Sequence, residues 1–269
     1  MIHLREIAPD PSRRRAGARG FPWDVPAIRS LPTLVLDTPV TILVGENGCG
    51  KSTLLEAVAI AARAVTVGAE EAADDPTLSG VRALAGALRL SWSARTHRGF
   101  YLRAEDFFGY AKRVARLRSE LAAGLAAVDA EYADRPGLAH DLARTPYLRE
   151  LSDLERRYGD GLDARSHGEA FLRFFGQRFV PKGTYLLDEP EAPLSPARQL
   201  ALIALLREME AADCQVIMAT HSPILLAYPG AAIWNFDASP VARAAFESLE
   251  HVRLTRDFLA NPERFLRHL

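Results

Sequence analysis

The sequence predicts an α/β chain, a mostly parallel sheet flanked by helices, with an antiparallel β segment and a helical insert. Three observations carry this. A compact apolar run over residues 39–44 ends in a glycine-rich turn, and residues 52–65 then show the helical spacing of Leu54, Leu55, Val58 and Ala61. Two further apolar runs, 185–188 and 215–220, are separated by a helical stretch over 197–209, and residues 232–236 read as one more strand. Short apolar strands alternating with helices are the pattern of a parallel sheet covered on both faces.

The other elements arrange themselves around this frame. Residues 2–7 read as a short strand, followed by a loop carrying Arg13, Arg14, Arg15 and Arg19 and by the turn-rich Phe21-Pro22-Trp23-Asp24. Residues 67–165 change character: an acidic loop with Glu70, Glu71, Asp74 and Asp75, strand-like segments at 88–93 and 99–103, then a stretch over 113–158 rich in Ala, Leu, Arg and Glu. Pro136 and Pro146 interrupt that stretch, which predicts several helices and no long coiled coil. The expected organisation is a core of residues 1–66 and 166–269 with 67–165 as an inserted, largely helical subdomain containing two strands. A helix over 169–175 precedes the strand at 185, and an amphipathic helix over 254–266 closes the chain.

Composition narrows the class. With 48% apolar and 25% charged residues the chain has enough material for a packed core and is not of the disordered type. A net charge of -1 gives no bulk field that selects nucleic acid or an anionic membrane, so any such contact must be local. No apolar run reaches the roughly 18 residues of a membrane span, and no apolar stretch follows Arg13 and Arg14 as an export signal requires. Two cysteines, Cys49 and Cys214, argue against a disulfide framework and for a reducing compartment. The expectation is a cytoplasmic protein without membrane insertion.

The turn after residue 44 reads Gly45-Glu46-Asn47-Gly48-Cys49-Gly50-Lys51-Ser52, a glycine, four residues, then Gly-Lys-Ser. It follows a predicted strand and opens a predicted helix, the context a phosphate loop needs. Glycines let backbone N–H groups and the helix N-terminus face an anion. Lys51 would reach the β and γ phosphates of ATP, Ser52 the Mg²⁺, and Thr53 the α phosphate. Cys49 is either a redox handle or a small residue in a tolerant place.

The run Tyr185-Leu186-Leu187-Asp188-Glu189 ends in adjacent carboxylates at the C-terminal edge of a strand. There Asp188 can hold Mg²⁺ through water, and Glu189 can orient and polarise an attacking water. Ala219-Thr220-His221-Ser222 ends the next strand, which would set His221 beside the same edge, where an imidazole hydrogen-bonds a γ phosphate. A histidine after a strand is by itself more often structural; its place one helix and one strand after Glu189 makes the functional reading the stronger one.

Together these residues resemble the ABC-type ATPases, a group that includes transporter subunits and the heads of SMC-like and RecF-like DNA-maintenance proteins. The resemblance covers both ends of the chain and implies a P-loop NTPase of the ABC type that hydrolyses ATP with Mg²⁺. Walker A corresponds to 45–53, Walker B with its following glutamate to Asp188 and Glu189, and the switch histidine to His221. The family's signature loop has its counterpart in Ser166-His167-Gly168-Glu169, although Arg165 stands where leucine is usual, His167 replaces a glycine and Glu169 a glutamine. Ser166 with Glu169 also forms a capping box, and the two roles are compatible. The resemblance implies a head-to-tail homodimer in which Ser166, Gly168 and Glu169 of one copy close on the ATP held by the other. No glutamine occurs between Thr53 and Ser166 to serve as the Q-loop residue; Glu105 either replaces it at the metal or is a solvated helix-start acid.

Asp188-Glu189-Pro190-Glu191 departs from transporter subunits, which more often carry threonine at the last place, and is most similar to small stand-alone predicted ATPases and the ATPase halves of phage-defence proteins. The expected function is an ATP-driven dimerising switch in DNA maintenance or phage defence. It would act on an unknown protein partner, with nucleic acid a candidate. The rival expectations are the ATP-binding subunit of a membrane transporter and a low-turnover ATP-sensing module.

Overall fold

Five consecutive buried residues, Val40–Val44, form the strand on which the sheet is built, and a strand hidden on both faces must lie inside a helix-covered sheet. The computed structural model describes the chain apart from residues 15, 16, 18, 68–78, 134–136, 159–166 and 268–269. Its strands in chain order are β1 (Leu4–Pro9), β2 (Leu34–Val35), β3 (Val40–Val44), β4 (Val65–Val67), β5 (Leu88–Trp92), β6 (Phe100–Arg103), β7 (Thr184–Asp188), β8 (Gln215–Ala219), β9 (Ala232–Asn235) and β10 (Ala242–Arg243). Seven of them make one sheet in the order β10-β9-β3-β8-β7-β6-β4, parallel except for the β9–β10 pair. The remaining three form an antiparallel sheet, β2-β1-β5. This is the predicted α/β architecture, with its antiparallel segment.

The helices are α1 (Pro26–Arg29), α2 (Lys51–Ala62), α3 (Ser79–Gly86), α4 (Ala104–Glu131), α5 (Gly137–Tyr158), α6 (His167–Arg178), α7 (Pro196–Ala211), α8 (Pro223–Leu226), α9 (Glu250–Ala260) and α10 (Pro262–Leu266). The chain folds as two compact units, Met1–Ala104 with Phe179–Leu269, and Glu105–Arg178. Expected bounds for the insert were 67 and 165. The strands β5 and β6 pair with β1 and β7, which places both in the first unit.

In the first unit a continuous apolar core joins both sheets through Leu4, Leu34, Leu43, Leu54, Val58 and Ile217. One polar residue ties the sheets together. Gln215, fully buried at the start of β8, accepts the N–H groups of His3 (3.0 Å) and Leu4 (2.8 Å) through Oε1 and donates from Nε2 to the Leu4 carbonyl (2.8 Å). The second unit holds its own aromatic cluster: Phe107 packs edge-on to Phe171 at 5.2 Å and against Phe174 at 5.3 Å. Asp129 near the end of α4 pairs with His140 (2.9 Å) and Arg144 (3.0 Å) of α5.

Four local expectations are corrected. The helix predicted over 52–65 stops at Ala62, because Arg63 takes a left-handed φ of 57° that lets the Ala64 N–H reach the Ala59 carbonyl (2.9 Å), and the β-branched Val65, Thr66 and Val67 then form β4. Helix α4 starts at Ala104, ahead of the expected 113. Pro146 lies inside α5 without ending it; the proline is exposed, where water can take the carbonyl its missing N–H leaves open. The single helix predicted over 254–266 is two, because Pro262 cannot continue α9 and Asn261 instead caps α10 by accepting the Arg264 N–H at 3.2 Å. The acidic loop with Glu70, Glu71, Asp74 and Asp75 lies outside the described residues.

Replacing Gln215 by leucine strands two buried N–H donors at once, and the expected loss is about 2–4 kcal/mol of unfolding free energy. Urea titration measures it; a midpoint equal to that of the parent would remove Gln215 as the tie between the sheets.

Candidate functional site

Parallel pairing brings the ends of β3, β6, β7 and β8 to one edge of the sheet, and the chain leaves that edge through the residues expected to carry chemistry. After Val44, Gly45 turns with φ 152° and Gly50 with φ 106°. A Cβ on Gly45 would lie 2.8 Å from the Cys49 sulfur, and one on Gly50 would lie 2.9 Å from a Val25 methyl. Only glycine fits either place. Gly50 precedes α2 with no side-chain cap, leaving the N–H groups of that first turn, where Lys51, Ser52 and Thr53 stand, for an outside acceptor.

Lys51 is buried, and its ammonium donates to the carbonyls of Gly45 (2.7 Å) and Glu46 (2.9 Å), with the Cys49 sulfur at 3.6 Å. Burial raises the Cys49 thiol above its ordinary range despite Lys51, which argues against a reactive thiolate. Glu46, Asn47 and Gly48 form the exposed tip of the loop. The Glu46 N–H is held by Asp237 at 2.8 Å.

Asp188 is 2% exposed at the end of β7. One carboxylate oxygen accepts the Ser52 hydroxyl at 2.9 Å, and the other faces Arg103 Nε at 3.3 Å. Arg103 is directly opposite Asp188 in the β6–β7 register and also lies 3.5 Å from Glu56, one turn beyond Ser52 on α2. Against burial, which lowers it, the neighbouring Tyr101, Glu56 and Asp188 keep the Arg103 guanidinium more basic than usual. A hydroxyl and a carboxylate in contact are a hard-oxygen pair suited to Mg²⁺, which takes few protein ligands and completes its shell with phosphate and water. Among the described residues no group of three His, Cys, Asp or Glu side chains is arranged for a metal.

Glu189 follows with a left-handed φ of 49°, its N–H bonded to the Ala219 carbonyl at 2.9 Å. That turn carries its carboxylate to 3.7 Å from His221 Nε2, beyond hydrogen-bond range. The His221 N–H donates to Glu191 at 2.7 Å. Ser222 then caps α8 through the N–H groups of Ile224 and Leu225, fixing the direction in which the chain leaves His221. Lys51, Ser52, Asp188, Glu189 and His221 therefore share one sheet edge. An open pocket of about 460 Å³ lies beside the loop, lined by Pro26, Glu46, Cys49, Asp237, His251 and Leu254. Burial, with His221 adding to it, holds the His251 imidazole below its ordinary value.

The other expected residues belong to the second unit. Glu105 is exposed in the first turn of α4, and Gly168 and Glu169 stand in the first turn of α6. Ser166 lies outside the described residues. Sequence reasoning missed Arg103, Glu56, Asp237 and His251 as neighbours of the site. The strand ending at 103 was legible, but which strand lies beside it was not.

A family model described as "AAA domain, putative AbiEii toxin, Type IV TA system" matches residues 74–227, and another described as "AAA domain" matches 27–72. The chain is 26% identical over 265 residues to the cobalt import ATP-binding protein CbiO of Salmonella typhi, covering 88% of this chain and 84% of that protein. It is 27% identical over 251 residues to the same protein of Salmonella typhimurium, with 82% and 79% covered. Among solved structures it is similar to a nucleotide-free ATP-binding cassette from an ABC transporter (TM-score 0.46, 16% identity, 98% of this chain and 97% of that one). It is also similar to an Smc head domain from Pyrococcus furiosus (TM-score 0.45, 12% identity, 96% and 100%).

Arg103→Leu removes the cation that Glu56 and Asp188 share, and the expected loss is about 1–3 kcal/mol of stability. Chemical denaturation of the variant checks this, and an unchanged stability would mean that solvent already screens the pair.

Proposed function

We propose that the chain, which belongs to the family described as "AAA domain, putative AbiEii toxin, Type IV TA system", is a P-loop ATPase of the ABC type that binds Mg·ATP in the 45–53 loop and hydrolyses it. The observation that carries the reading is the Ser52–Asp188 contact of 2.9 Å, which joins the phosphate loop to the carboxylate strand at one point. Ser52 and Asp188 would hold Mg²⁺ there, and the bound ion supplies charge neutralisation at the phosphoryl oxygens. Lys51 exchanges two backbone carbonyls for the β and γ phosphate oxygens, a charge-assisted and stronger pairing. Glu189 orients the attacking water and accepts its proton, and His221 hydrogen-bonds the transferred phosphoryl group.

In this reading Ser166, Gly168 and Glu169 of a second copy complete the site, so that ATP closes a homodimer and hydrolysis opens it. Glu105 is the proposed stand-in for the Q-loop glutamine at the metal. The family's description, which names a toxin of a toxin–antitoxin system, supports a separate protein partner, and a role in defence or DNA maintenance is part of the same proposal. A second reading, the ATP-binding subunit of a transporter, is favoured by the likeness to the cobalt import proteins over most of both chains.

Purified protein is expected to release phosphate from Mg·ATP. Lys51→Ala is expected to abolish nucleotide binding in a direct titration, and Glu189→Gln to keep binding, lose turnover by about 10²-fold or more, and accumulate an ATP-bound dimer in light scattering. Unchanged ATP affinity in Lys51→Ala would refute the phosphate assignment. Turnover raised by double-stranded DNA without membranes would favour the switch over the transporter subunit.

A further inference from the structure

Glu191 has no place in the phosphate chemistry above, yet it is the residue that reaches across to the histidine loop. Its Oε1 accepts the His221 N–H at 2.7 Å across 30 residues of sequence. Among the described residues its Oε2 is sealed from solvent without a hydrogen-bond partner. Burial pushes the carboxyl up, while the Glu191, Thr220 and His221 donors pull it back. A half-buried carboxylate with one oxygen shut away from water is costly unless the bond made by the other has a use.

The use lies in what the bond spans. Glu189 is a non-glycine residue in the left-handed region, a conformation that persists only where its surroundings over-determine it. Its own N–H is tied to Ala219, and the turn that follows is closed by Ala192 N–H to Glu189 (3.0 Å) and Leu194 N–H to Glu191 (2.8 Å). The Glu191–His221 bond is a second rung between this turn and the chain leaving the strand end at Ala219, two residues beyond each end of the first. We propose that Glu191 is a positioning residue that locks the carboxylate turn to the histidine loop, fixing the separation of Glu189 and His221. Two loops joined by a single rung can pivot about it; two rungs remove the pivot. The proposal rests on the hydrolytic reading for its effect on rate, but not for the bond itself.

Two measurements test it. With Glu191→Ala the kcat for Mg·ATP is expected to fall by about a hundredfold, the penalty of a displacement near 1 Å at reacting groups, while the ATP dissociation constant stays within about twofold. Glu191→Gln keeps an acceptor oxygen of the same reach and is expected to restore most of the rate. Independently of turnover, amide hydrogen exchange at His221 is expected to speed up in the alanine variant and to remain slow in the glutamine variant. Parent-like kcat and exchange in Glu191→Ala would overturn the proposal, as would a glutamine variant as impaired as alanine. Absent turnover in the parent with the exchange pattern intact would sink the ATPase reading and leave the lock standing.

Discussion

The site depends on one buried carboxylate. Asp188 is removed from water at the end of a central strand, and both of its oxygens are spoken for, one by the Ser52 hydroxyl of the phosphate loop helix and the other by Arg103 of the neighbouring strand. A carboxylate in such a place is tolerable only with donors on both sides. The spacing of loop, strand and helix follows from that demand. Glu56, set one turn along α2 from Ser52, neutralises the arginine in turn, so the helix is held to the sheet at two points, a hydroxyl–carboxylate hydrogen bond and an ion pair.

Around this centre the fold supplies direction rather than chemistry. Parallel registration makes the strands end together, and each then departs differently: β3 into a glycine loop, β7 into a left-handed turn, β8 into a loop capped by Ser222. The smaller antiparallel sheet is tied in through Gln215 of β8, and the segment between its β1 and β2 brings Val25, just ahead of α1, and Ile28 of α1 against Gly50 from outside the loop. The phosphate loop thus has packed side chains beneath it and is open only at its tip.

What the sequence made legible were the short-range features. Gly45 to Ser52 carries its own spacing, and the apolar runs before Asp188 and His221 announce buried strands because both of their faces are hidden. Lateral order was not legible. Nothing in the residues 99–103 says that Arg103 lies opposite Asp188, because register is set by sheet pairing across about eighty intervening residues. The same holds for His251 and Asp237, which reach the loop from the chain's last quarter. Helix ends failed where a single residue decided them: Arg63 by adopting the left-handed region, Asn261 by serving as a cap.

The two carbonyl bonds made by Lys51 have a consequence for how the loop meets its ligand. With its buried ammonium already hydrogen-bonded to the carbonyls of Gly45 and Glu46, the loop is self-ligated, and its backbone curve is held by its own cation. In the proposed ATP reading, recognition would be an exchange of those inner ligands for phosphate oxygens and not the capture of an anion by a hydrated side chain. An uncharged or weakly charged competitor has nothing to offer in that exchange. In the same proposed reading, selectivity for a polyanionic phosphate tail would begin before any contact with the base, in the strength of the bonds the loop makes to itself.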